Sequence, residues 1–266
     1  MIGILIATGA VIVTFLLKGV SPVILINLPS ISIVFAGTFG ATIASFGLVQ
    51  FKKLPKLIGI AMKAPTSHAV AHRQKLVGFA ERARREGLLA LEGDLESVED
   101  PFVRRGLQMV IDGLEPDTVE EVLDLEIEAM KRRHAHGALM LAAMAGYAPT
   151  FGILGAVMGL IAVMAHLSEP EKLGAGIQVA FIATLMAVGV ANIVFMPMSM
   201  ALKGRSAEEV VERQMAVAGI LAIQAGDNPR IVAQKLESFI DPKALAAGLG
   251  AATAEAPASA TQAEAA

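Results

Sequence analysis

Cysteine and tryptophan are absent from the 266 residues, tyrosine occurs once, and Asp, Glu, Lys and Arg make up only 18%. Without cysteine there is no disulfide, no thiol chemistry and no Cys-based metal site. A soluble domain usually carries about 25% charged residues. The shortage of charge therefore points to a membrane, as does the mean hydropathy of +0.61. The net charge of −3 decides little, because the distribution of charge matters more. There is no nucleotide-binding fingerprint, no HExxH and no setting for a Ser or Cys nucleophile, so no enzyme is expected. No cofactor or bound metal is expected either. His68 and His72 share a metal-pair spacing, but without further ligands nearby a solvated juxtamembrane helix explains them better.

Charge is missing in blocks. Met1–Leu17, Ser30–Phe51, Ala138–Leu167 and Leu173–Leu202 contain no Asp, Glu, Lys or Arg. Roughly 20 apolar residues cross the hydrocarbon core. The last three blocks meet that length and the first is marginal. The first lacks a basic n-region and a convincing cleavage site, which favours a retained span over a signal peptide. The expected fold is all-α: a polytopic membrane protein with four transmembrane helices and a helical cytoplasmic domain. Of the 22 basic residues, 14 lie between Lys52 and Arg133 and 6 follow Leu202. The positive-inside rule then puts the long segments and both termini in the cytoplasm. Segments 1–51 and 138–202 are expected to be membrane helices, 52–137 and 203–243 cytoplasmic helices, and 244–266 a disordered Ala-rich tail. The patch KKLPKLIGIAMK, Lys52–Lys63, is expected at the lipid headgroups.

Within the polar segments, Asp100-Pro101 and Asn228-Pro229 pair an N-cap with proline at the first helical position. Val103, Leu107, Val110, Ile111 and Leu114 follow helical spacing, as do Val119, Leu123, Ile127 and Met130, and Val232, Leu236 and Phe239. Thr118-Val-Glu-Glu121 and Ser206-Ala-Glu-Glu209 read as capping boxes that open helices. Asp112-Gly113 and Pro116 end the helix between them.

GYAPTFGILGAVMGL, Gly146–Leu160, is apolar yet rich in residues that weaken helices. Gly152, Gly155, Gly159 and Ala162 recur at 3, 4 and 3 and form one face, and Ala180, Ala183, Ala187 and Ala191, at 3, 4 and 4, do so in the last apolar block. Small residues permit close backbone approach between membrane helices, so each stripe packs on the other or on a neighbour. Pro149 and Pro197 fall at similar depth and permit kinks. Such kinks are either architectural or convert an event in the membrane into motion outside it. Thr184 either bonds back to its own helix or faces a water or ion path. Asn192 is a candidate interhelical hydrogen-bonder, and His166 a solvated interfacial residue. Proton pumps use an ionisable group within the membrane. These four blocks hold no carboxylate, so a partner would have to supply one.

The stretches GYAPTFGILGAVMGL and GIQVAFIATLMAVGVANIVFMPMSMALK (Gly176–Lys203) resemble the A subunits of flagellar motor stators, MotA and its sodium-type relative PomA. These belong to the MotA/TolQ/ExbB proton channel family. REGLLALEGDLE (Arg85–Glu96) and VIDGLEPDTVEEVLDLEI (Val110–Ile127) extend the likeness over nearly everything before Pro242. The resemblance implies an inner-membrane homopentamer around a MotB-like B-subunit dimer, whose aspartate supplies the missing carboxylate. Its protonation would change the local charge by one unit in a low-dielectric setting. Pro149 and Pro197 match the prolines that couple ion flow to conformation. Arg84 and Glu92 match the residues that meet charges on the rotor protein FliG. Sodium-type relatives carry threonines along the ion path, where this sequence has Ala156, Ala183 and only Thr184. Fewer oxygen ligands favour H+ over Na+. Lipid is an expected neighbour and nucleic acid is not. An ExbB or TolQ type energiser of outer-membrane transport is the alternative, disfavoured by two spans before Lys52. A scaffold without ion flux is a third possibility.

Overall fold

The computed structural model describes residues 2–63 and 69–246, with the side chains of Pro170 and Lys172 excepted. His68 and the tail beyond residue 246 lie outside that range. Residues 242–246, of which 244–246 fall in the expected tail, form a helical turn closed by Leu245 N donating to Asp241 O at 2.9 Å. Among the described residues there are helices and no strand. Contacts divide the chain into two units: Met1–Ala64 with Arg132–Ser206, and Pro65–Lys131 with Ala207–Ala266.

The first is the membrane unit. Helix α1 (Ile2–Leu17) is apolar throughout. Helix α2 (Leu28–Phe46) starts on Asn27, whose side chain accepts from Ser30 N, and passes through a π-helical turn at Ser32–Ala36. The juxtamembrane patch folds as α3 (Leu54–Met62), with proline near its start. Two long helices complete the unit. Helix α6 (Pro116–Ala165) runs 50 residues without a break, with Pro149 inside it. Helix α7 (Pro170–Gly189) continues through a π turn, Val190–Phe195, into α8 (Met196–Gln224). Segments 28–46, 116–165 and 173–224 are each long and apolar enough to cross a membrane. The fourth expected span, α1, has 16 residues, or about 24 Å of helix against a core of about 30 Å.

The second unit is the helical domain. Its helices are α4 (Ala69–Glu86), α5 (Pro101–Ile111) and α9 (Pro229–Glu237), with the adjoining turns of α6 and α8. The expected caps form. The Asp100 carboxylate accepts from Phe102 N at 2.9 Å, and Asn228 Oδ1 accepts from Arg230 N at 3.0 Å. Gly87, at φ +89°, ends α4 and turns the chain into a 3-10 stretch, Leu88–Ser97. Leu76, Leu91, Leu107, Leu123, Ile220 and Leu236 fill one core. Arg213 binds both Asp100 oxygens at 2.7 Å and lies 4.8 Å from the centre of the Phe102 ring.

Two expected helix starts are wrong. Proline at position 116 opens α6 earlier, and Val119 N already donates to Glu115 O at 3.1 Å, so Thr118 lies in the first turn rather than before it. Ser206 lies in the middle of α8, opposite His134 Nδ1 at 3.3 Å. A capping box is a local preference, and a helix arriving from the membrane overrides it. Helices α6 and α8 run without a break through residues 137 and 202.

Candidate functional site: the sealed pair of helices

The glycines of α6 face the alanines of α7. A methyl group built on Gly152 would lie 2.4 Å from Ala187 Cβ and 3.2 Å from the Ala183 carbonyl oxygen. At Gly155 it would meet Ala183 Cβ at 3.0 Å and Ile33 of α2 at 2.8 Å. At Gly159 it would meet Ala180 Cβ and the Gly176 carbonyl, both at 3.1 Å. Gly152, Gly155, Gly159, Ala180, Ala183 and Ala187 are all buried. Glycine in a helix costs about 1 kcal/mol against alanine. Here the cost is offset by backbone approach that no side chain would allow. The stripes pack on each other, and at Gly155 also on the neighbouring α2.

Thr184 is half-buried beside this seam. Its hydroxyl donates to Ala180 O at 3.2 Å, and Gly152 O lies 3.5 Å away across the helices. Back-bonding to its own helix is therefore its main contact. Ala156 is half-buried and shares a face with Pro149, Ile153 and Leu160, at spacings of 4, 3 and 4. That face is distinct from the seam. It carries large exposed side chains, as does the outer face of α7 at Phe181, Leu185 and Val188. Asn192, expected to bond between helices, is exposed and donates to Val188 O of its own helix at 3.0 Å. A side-chain amide one turn along from a backbone carbonyl has a nearer acceptor than any neighbour.

The prolines sit in different local settings. Pro149 is half-buried in a continuous α-helix, and next to it the Thr150 hydroxyl donates to Tyr147 O at 2.6 Å. Pro197 follows the π turn that contains Ile193. Its ring would clash with that residue's carbonyl in regular helix, and the wider turn gives room. Just beyond Pro149, the Phe151 ring fits against Gly37, where a methyl group would come within 2.2 Å of it. Thr38 and Thr42 are fully buried and bond back along α2, to Val34 O at 2.6 Å and Thr38 O at 2.7 Å. Buried Ser199 donates to Ala138 O at 2.7 Å. The sequence reading missed these hydroxyls and both π turns. The i, i+4 spacing of Thr38 and Thr42 was a usable signal, whereas the π turns left none.

In the helical domain, Arg84 near the end of α4 and Glu92 in the 3-10 stretch are exposed. Neither has a hydrogen-bond or ion-pair partner among the described residues. Their neighbours do: Arg82 pairs with Asp94 at 2.5 Å and with Glu86 at 3.1 Å.

The fold and the sealed helix pair define a multi-pass helical membrane protein with a helical domain built on the same long helices. The model of the MotA/TolQ/ExbB proton channel family matches residues 94–215. Motility protein A of Bacillus subtilis (strain 168) is 37% identical over 244 residues, 91% of this chain and 90% of that protein. Motility protein A of Borreliella burgdorferi is 36% identical over 235 residues, covering 88% and 90%. The solved flagellar MotAB stator complex from Bacillus subtilis superposes with a TM-score of 0.85 at 37% identity, covering 91% of this chain and 96% of that one. The chain belongs to the MotA/TolQ/ExbB proton channel family, among its flagellar stator subunits.

Proposed function

We propose that this stator subunit conducts protons together with a MotB-like B-subunit dimer and turns their flow into rotation. The observation that carries this reading is the close packing of the seam. Its glycines and alanines are occupied within the chain, and the exposed apolar face of α6 at Ile153, Ala156 and Leu160 is free to meet another helix. That face has no titratable group, so the partner brings the aspartate. The solved relative is a MotAB complex, which supports a partner of this type. Five copies around the dimer suit a mechanism in which each protonation favours the next contact. The protein sits in the inner membrane with four spans and cytoplasmic termini, the short α1 among them, the bilayer thinning to meet it. Pro149 and Pro197 pass the change to the helical domain, and exposed Arg84 and Glu92 meet the rotor protein FliG. Opposite surface charges steer such a transient contact more than they tighten it. Ala156 and Ala183 offer no oxygen to a dehydrated cation and Thr184 bonds its own helix, which favours H+ over Na+. A motility-deficient deletion strain complemented with this chain and its B subunit should swim equally in sodium-free and sodium-rich media. Swimming that requires sodium would overturn the proton assignment, and no swimming in either would overturn the motor role.

A further inference from the structure

A cleft of about 270 Å³ opens at the basic end of the membrane unit, between the start of α1, the end of α3 and the π turn before Pro197. Gly3, Ile4, Ala7, Met62, Pro197 and Ala201 line it, and among the described residues Asn192 is the one polar side chain that reaches it. A cleft of this character, at membrane depth, is suited to hydrocarbon rather than water. Basic residues stand next to its lining in the chain. Ile193, Pro197 and Ala201 recur every four residues along the helix, and the next position in that row is Arg205. Helical side chains lean toward the N-terminal turn, which directs a half-buried Arg205 back over Ala201. Lys63 follows the lining residue Met62 directly. Neither Arg205 nor Lys63 has an ion-pair partner among the described residues. Within this unit the acidic residues are Glu169 and Glu171, in and beside the link between α6 and α7, and Glu208 and Glu209 follow Arg205 by three and four positions further along α8.

We infer that this cleft is a binding site for one anionic phospholipid, an acyl chain lying between α1, α3 and Pro197 and its phosphate held by Arg205 and Lys63. A plain polybasic collar would attract the same lipids without a place for the chain. The apolar cleft in register with Arg205 is what distinguishes a site from a collar. The occupant would fill the space beside the π turn, so the segment that accommodates Pro197 would be packed by lipid on that side. The inference does not depend on which ion the protein conducts.

The test uses the complete stator complex in vesicles of phosphatidylglycerol or phosphatidylcholine, each with a trace of lipid of the same headgroup carrying a photoreactive acyl chain. Labelled peptides are mapped by mass spectrometry. Labelling of the peptides carrying Gly3–Ala7, Ala61–Met62 and Pro197–Ala201 should be at least about fivefold greater in phosphatidylglycerol, the worth of one basic residue at an anionic surface. Gly3→Phe should abolish it, since a side chain there enters open space with nothing within 4 Å of its first carbon. Arg205→Gln, a change outside the cleft lining, should bring the phosphatidylglycerol signal down toward that of phosphatidylcholine. Millimolar inorganic phosphate should compete with neither. Equal labelling by both lipids, labelling unchanged in Arg205→Gln, competition by phosphate alone, or crosslinks from these peptides to a second copy of the chain would each overturn the site.

Discussion

At the scale of single residues, the absence of a methyl group is the informative feature of Gly152. Alanine there would place carbon 2.4 Å from Ala187 Cβ, whereas Gly146, one and a half turns earlier, meets nothing within 4 Å. Gly152→Ala should therefore destabilise the folded protein by about 1–3 kcal/mol through overpacking. Gly146→Ala should be neutral or stabilise by up to about 1 kcal/mol through helix propensity. Thermal midpoints from fluorescence-detected size exclusion would compare the two, and equal midpoints would contradict the seam. Asp100 is a second decisive residue, because it caps α5 and holds Arg213. Burial opposes its ionisation, but the Arg213 hydrogen bonds, the Phe102 amide and the guanidinium charge prevail and hold the carboxyl below its ordinary value. A lowered folded-state value means the contribution is present above about pH 4, the usual carboxylate range. It is lost as pH falls through the lower native value. Asp100→Asn should flatten the acid limb of stability, read by circular dichroism of the detergent-solubilised chain. Arg213→Ala should cost about 1–3 kcal/mol at neutral pH by leaving a half-buried carboxylate unpaired.

At the scale of elements, the two prolines sit in unlike local settings. Pro197 relies on a π turn, and Pro149 sits in unbroken α-helix beside the Phe151–Gly37 contact. Pro149→Ala and Pro197→Ala should each abolish torque on tethered cells while the protein is still found in the membrane fraction. Normal rotation of both would refute the coupling role. The elements also show what a sequence discloses. Asp100-Pro101 and Asn228-Pro229 were legible because cap and proline act within one turn. Thr118 and Ser206 misled because the same local signal loses to a helix already under way. The glycine and alanine stripes were legible as periodicity, but their mutual pairing needed the fold, since it joins residues about thirty apart. The Arg213–Asp100 bond, 113 residues apart, was beyond any local pattern. The π turns were illegible because no residue type marks them. Arg84 and Glu92 were found through family likeness, and by composition alone they are an ordinary solvated face.

At the scale of the whole molecule, the helical domain presents free charge at Arg84 and Glu92, while the apolar face of α6 at Ile153, Ala156 and Leu160 carries no ionisable group. If these are the two ends of one transduction, Arg84→Glu should reduce torque, and a compensating charge reversal on the rotor should restore part of it. No restoration by any reversed rotor charge would undermine that contact. Torque, however, depends on many parts at once. The central claim is narrower: this chain shapes a proton path and does not supply the proton acceptor. Proton flux into pH-sensitive liposomes tests it most directly, with the chain reconstituted alone and then with a B subunit freed of any plug. The account predicts no flux above empty liposomes for the chain alone, and clear flux for the pair that disappears when the B-subunit aspartate becomes asparagine. Proton flux through the chain by itself would contradict it.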